Sequence, residues 1–201
     1  MRKSTIEGFT LIKLVVVVAL LGLLIVTLIP RVIHLTEKAQ QVNIESTAND
    51  FANAILLAQS QWIAEGRPHD GTHNLVDYNG HDLILTAEDK PNKVRAGYPI
   101  ALAPNDDILS VNDCVDIWNN ILQLPPRLTS NIDDLNGPDS DSYKYFVSLQ
   151  GTRPSYFCVY FLKETLNRVS EVYATPVDIN VGLNFTYQPA IGSVEMTINK
   201  R

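Results

Sequence analysis

A near-continuous apolar run, Phe9 to Ile29, closed by Pro30, constrains this chain more than any other feature of it. As a helix it is roughly 31 Å long, close to the thickness of a bilayer's hydrocarbon core. Arg2 and Lys3 precede it and Arg31 alone follows, so the charge asymmetry predicts a cytoplasmic leader and a chain that otherwise lies outside the inner membrane. An ordinary secretory signal has a shorter apolar region followed by a small-residue cleavage site; Thr27-Leu28-Ile29-Pro30-Arg31 is a poor match to one. A plain single-pass anchor is the other general alternative. The run starts directly at a Gly8-Phe9 junction, so scission there would remove the basic leader and leave the apolar helix on the mature protein.

The segment Gly8-Phe9-Thr10-Leu11-Ile12-x-Leu14-Val15-Val16-Val17-Val18 resembles the N-terminal signature of type IV pilins and of the pseudopilins of type II secretion. Ile29-Pro30-Arg31-Val32-Ile33, Ala58 to Gly66 and Cys114 to Gln123 narrow the resemblance to the mannose-sensitive haemagglutinin (MSHA) pilin group and its minor subunits. The resemblance implies an α+β pilin fold, a long N-terminal helix with a transmembrane first half, packed on a C-terminal antiparallel sheet. It implies cleavage between Gly8 and Phe9 by a prepilin peptidase, N-methylation of Phe9, and a helix kink at Pro30. Residues 1–8 would be the leader, 9–30 the membrane and filament-core helix, and 31–201 the globular domain with the rest of the helix. The implied partners are other pilin subunits, the inner membrane before assembly, the peptidase and an assembly platform. The location would be the inner membrane and an extracellular attachment pilus of a Gram-negative bacterium. A pseudopilin of type II secretion, or a tethered adhesin that never polymerises, is the rival reading.

Lys13 departs from the pattern. Type IV pilins usually carry glutamate at the fifth mature position, where a carboxylate can meet the N-terminal amine of a neighbouring subunit. A buried charge is costly unless an opposite charge accompanies it. Lys13 would repel that amine, which suits a subunit with no neighbour ahead of it, at a filament tip. The alternatives are a tolerated substitution whose long stem snorkels to the headgroups, which is the simpler account, and pairing with a partner pilin's carboxylate.

Beyond Pro30 the stretch from Arg31 to Glu65 has no Pro or Gly, and Ile44, Ala48, Phe51, Ile55, Ala58 and Trp62 recur in steps of three and four. That spacing predicts a helix with one apolar face, stopped by Gly66-Arg67-Pro68. Residues 66–113 read as loop-rich with one strand, Asp82 to Ala87. Asp113 reads as the cap of a helix from Cys114 to Gln123. Strands are expected at Tyr143–Leu149, Tyr156–Leu162, Val169–Ala174, Leu183–Tyr187 and Val194–Ile198, the last two joined as a hairpin.

Cys114 and Cys158 both lie past the anchor, in an oxidising compartment, so a disulfide is expected. Loss of Arg2, Lys3 and Glu7 with the leader would move the formal charge from −6 to −7. An acidic chain with no basic patch is not expected to bind nucleic acid. The oxygen-rich stretch from Asp133 to Asp141 offers Asp134, Asn136, Asp139 and Asp141 as a weak calcium candidate, a site some pseudopilins have; the spacing fails the EF-hand pattern and a solvated turn is expected instead. His69, His73 and His81 are too loosely spaced for zinc, and His34 reads as a surface or headgroup residue. No nucleophile motif or phosphate-binding Gly-rich loop occurs, so neither enzymatic activity nor a cofactor is expected. Trp62 and the Tyr143–Phe146 and Tyr156–Phe161 aromatics read as core in preference to a sugar-binding surface.

Overall fold

The computed structural model describes residues 7–104, 108–174 and 177–199, with backbone alone at 7–10, 27–31, 33 and 34. The chain divides into two compact units, 1–42 and 43–201. Helix α1 spans Glu7–Ala64 and is helical through position 30. It ends as the sequence demands: Gly66 and Arg67 both have positive φ, and the Arg67 amide donates to the Trp62 carbonyl at 2.8 Å.

In the first unit every described side chain from Leu11 to Val26 is exposed. Among the described residues no helix is long and apolar enough to cross a membrane, so the expected spanning first half is not met within them. The described apolar side chains, 11–26, measure roughly 24 Å as a helix, short of a ~30 Å hydrocarbon core.

In the second unit the helical periodicity holds residue by residue. Ile44, Ala48, Phe51, Ile55, Ala58 and Trp62 are all buried, while Glu45, Asn49, Asp50 and Asn53 are exposed. The buried face packs on two sheets. The first, in order β1-β2-β3, is antiparallel: β1 Asn74–Tyr78, β2 His81–Leu85 and β3 Pro99–Leu102. The second has the order β10-β9-β6-β5-β4, from β4 Leu128–Thr129, β5 Tyr145–Gln150, β6 Phe157–Leu162, β9 Leu183–Gln188 and β10 Ser193–Ile198. All its pairs are antiparallel except β4 with β5, a parallel pair of two residues that corrects the all-antiparallel expectation.

Strand periodicity decides which residues meet α1. Tyr145, Val147, Cys158, Tyr160 and Leu162 join the helix-side core, while Phe146, Val159 and Phe161 form a smaller cluster with Leu135, Leu166 and Tyr173. Strand β6 is therefore buried on both faces, which is why its sequence is apolar without alternation.

Helix α2, Val111–Ile121, starts three residues before the expected position. Ser110 is its cap. The Asp113 amide donates to Ser110 Oγ, and the Ser110 amide donates to the Asp113 carboxylate at 2.7 Å. Asp113 is the reciprocal third residue of a capping box, not the cap itself. A short helix, α3 Ile132–Asn136, follows. The expected strand Val169–Ala174 is instead a hairpin of β7 Arg168–Val169 and β8 Val172–Tyr173, turned by Ser170 and Glu171 with φ of 52° and 65°.

Candidate functional site

Three places were singled out by the sequence: the N-terminal helix, the cysteine pair and the polar loops. Gly8 and Phe9 lie in α1, where the backbone alone is described, and Met1–Ile6 lie outside the described residues. Pro30 and His34 are likewise placed by backbone only. Lys13 is exposed on α1, between the exposed Ile12 and Leu14.

Cys114 and Cys158 form a disulfide with a Cα–Cα separation of 5.8 Å, joining α2 to β6. Both are fully buried. Around the bridge, aromatic rings close the core. Phe51 of α1 lies 5.3–6.1 Å from the rings of Trp118, Tyr160, Phe185 and Tyr187. Each polar tip in this cage finds a backbone partner. Tyr160 Oη donates to the Cys114 carbonyl at 2.9 Å, Tyr187 Oη to the Pro99 carbonyl at 2.7 Å, and Trp118 Nε1 to the Pro126 carbonyl at 2.9 Å. Tyr145 Oη donates to Asn43 Oδ1 at 3.1 Å and lies as close to Thr47 Oγ1, both on α1.

Burial pushes the Tyr160 and Tyr187 phenols well above the usual tyrosine range and raises Tyr145 too. A folded-state pKa above the unfolded value holds the proton more tightly in the native state. The associated stability is complete below about pH 10 and disappears as pH climbs through the folded values. Unfolding free energy is thus expected to decline only beyond about pH 10, and phenolate absorbance from these tyrosines should rise together with loss of near-UV circular dichroism.

The calcium candidates are drawn apart. Asp134 accepts from Thr129 Oγ1 at 2.6 Å, and Asn136 turns the other way, exchanging two hydrogen bonds with the Tyr173 backbone at 2.8 and 3.0 Å. Asp141 lies 3.9 Å from Lys163 Nζ, which also donates to the Ser140 carbonyl. Lys163 is buried, so an ammonium group from β6's far end stands inside this loop. Desolvation lowers its pKa, with Asp141 opposing. Nothing in the sequence marked Lys163, which is 22 residues beyond Asp141. Among the described residues no three His, Cys, Asp or Glu side chains are grouped to hold a metal. His69 and His73 serve turns around Asp70, whose carboxylate accepts the Thr72 and His73 amides at 2.8 and 2.7 Å. Those two amides hold the Asp70 pKa down. Trp62 is buried, with Nε1 donating to the Pro68 carbonyl at 3.1 Å, and Tyr145, Phe146, Tyr160 and Phe161 are buried as well.

No family model matches the chain, and no solved structure matches it. It is 39% identical over 62 residues to the Type IV narrow pilus major component PilA5 of Thermus thermophilus. The match covers 31% of this chain and 52% of that protein, so the chain spans about half the length of the curated relative it matches. With its long N-terminal helix and largely antiparallel sheets, an α+β arrangement consistent with a pilin, this partial similarity supports the type IV pilin family for the chain.

Proposed function

We propose that this chain is a minor type IV pilin of the MSHA type, MshB-like: a structural and assembly subunit of a surface attachment pilus, placed at its tip or at initiation. The observation that carries the reading is the Gly8-Phe9 junction at the head of a 58-residue helix whose described side chains from Leu11 to Val26 are all exposed. A helix so apolar needs lipid or other helices around it. In this reading residues 9–30 first sit in the inner membrane, with the rest of the chain periplasmic, and then bundle with the corresponding helices of other pilins. Prepilin peptidase removes residues 1–8, Phe9 is N-methylated, Pro30 gives the helix its bend, and a separate assembly platform extracts the subunit.

Intact mass measurement of the chain purified from its native membrane tests this directly. The expected mass is that of a chain starting at Phe9 with one added methyl group; a retained leader, or scission beyond Ile29, would overturn the proposal. Lys13→Glu tests the tip placement. Restored attraction to a neighbour's amine is expected to raise incorporation of this subunit along sheared filaments. Unchanged incorporation would remove the tip argument and leave the subunit reading standing.

A further inference from the structure

Asn-Gly occurs twice in this chain, at Asn79-Gly80 and Asn136-Gly137, and Asp-Gly once, at Asp70-Gly71. These links share one weakness. Glycine has no Cβ, so its amide nitrogen can approach the side-chain carbonyl of the residue before it. At an asparagine the nitrogen bonds to Cγ, the Cγ–Nδ2 bond breaks, and the glycine proton leaves with the amine as ammonia. Water then opens the five-membered imide at either carbonyl, giving an aspartyl or an isoaspartyl residue. In a folded protein the outcome depends on whether the side chain is free to turn and the glycine nitrogen free to approach.

The fold treats the three links differently. Asn79 and Gly80 are the central pair of the β1–β2 turn, closed by Tyr78 opposite His81, with φ of 55° and 81°. Both are exposed, and a Cβ on Gly80 would meet nothing within 4 Å. Among the described residues no hydrogen bond holds the Asn79 amide. Asn136 is exposed as well, so exposure does not separate the two. Its side chain is clamped: Oδ1 accepts the Tyr173 amide at 2.8 Å, and Nδ2 donates to the Tyr173 and Ile132 carbonyls at 3.0 and 3.2 Å. The Asp70 carboxylate already accepts two amides, and an ionised carboxylate is a poor target for an amide nitrogen.

One restraint acts on the Asn79 link. The Gly80 amide donates to Asp77 Oδ1 at 2.9 Å. The nitrogen must leave that hydrogen bond and shed its proton before it can attack. We propose that Asn79 is a site of spontaneous deamidation in the folded protein, with Asp77 as its brake, while the Tyr173 backbone protects Asn136. The consequence is structural. An aspartyl product adds a carboxylate to a turn already flanked by Asp77 and Asp82, and an isoaspartyl product puts an additional methylene into the main chain of a two-residue turn whose length sets the register. Either loosens β1, the outer strand of its sheet, where Gln61 of α1 donates to the Asp77 carbonyl at 2.6 Å. The site goes beyond the pilin reading and does not depend on it.

Peptide mass mapping of the full-length protein, held in detergent at mildly alkaline pH in heavy-oxygen water, tests this; the isotope marks conversion during the incubation. Position 79 is expected to convert roughly tenfold faster than position 136 or more, because several hydrogen bonds must open first at Asn136. In urea the two should convert at similar rates. Equal rates in the folded protein, a faster Asn136, or conversion at position 79 in urea alone would overturn the proposal. Asp77→Ala is expected to speed position 79 by roughly tenfold and leave position 136 unchanged. Asp77→Asn keeps an acceptor for the Gly80 amide and should stay near the parent. No acceleration in Asp77→Ala, or the same acceleration in both variants, overturns the brake. Neither the leader nor the filament enters these measurements, so failure here leaves the pilin reading standing.

Discussion

Phe51→Ala is expected to destabilise the 43–201 unit by about 3–5 kcal/mol, the range for deleting a fully buried phenylalanine ring. The upper part of that range is the better expectation, because the cost depends on how far the surroundings can collapse. Here they are pinned. Trp118, Tyr160 and Tyr187 touch the Phe51 ring, and each has its polar tip hydrogen-bonded to backbone. Moving a ring inward to fill the void would break one of those bonds and leave a buried donor unpaired, at about 1–3 kcal/mol. Alanine's better helix propensity returns only about 0.5 kcal/mol. Urea unfolding of the full chain in detergent checks this: the midpoint should fall with the slope unchanged. Leu56→Ala on the exposed side of the same helix, where Leu56 is 53% exposed, should stay within about 0.5 kcal/mol of the parent. Equal effects from the two would mean that α1 is not packed through the face containing Phe51.

That face was legible because a 3.6-residue period over Ile44 to Trp62 has one geometric solution. The strands β5, β6, β9 and β10 were legible as runs of aromatic and β-branched residues. What stayed hidden has local causes. Strand β1 is five residues with Asp77 exposed within it, and β3 begins at a proline, so neither carries a run long enough to stand out from its loops. The turn at Ser170-Glu171 places two ordinary residues in the left-handed region, with no Gly or Asn to announce it. The cap of α2 was misplaced because Ser110 and Asp113 are both good capping residues, although the Ser110-x-x-Asp113 spacing is that of a capping box and was there to be read. The acidic loop is different. Sequence lists its oxygens, but the buried Lys163 ammonium and the diversion of Asn136 to Tyr173 depend on which strands become neighbours. The cysteine pairing was readable from the count and compartment, and its attachment of a helix to a strand from the expected elements that hold the two residues.

Removing the bridge with Cys114→Ala and Cys158→Ala is expected to cost about 4 kcal/mol, the loop-closure value for a segment of this length. The sequence separation is 44, so the unlinked denatured chain regains the freedom of a long loop. In the native state the consequence falls on α2. That helix keeps its capping box and the stacking of Trp118 on Tyr160, 5.0 Å between centroids, so it should stay docked at moderate urea and be lost in one transition with the sheet. A midpoint shift by reduction equal to that of the double variant would attribute the loss to the covalent link; an unchanged midpoint would remove the bridge from the stability account. The bridge and Phe51 are not independent. Tyr160 donates to the Cys114 carbonyl and its ring lies 5.3 Å from Phe51, so one side chain is shared by both sites. Residues with a common partner depart from additivity by about 0.5–3 kcal/mol. The combined variant should therefore depart from the sum of its parts, because the Tyr160 ring packs on Phe51 while its hydroxyl is held by the helix the bridge anchors. A strictly additive cycle would mean that Tyr160 does not couple α1 to α2.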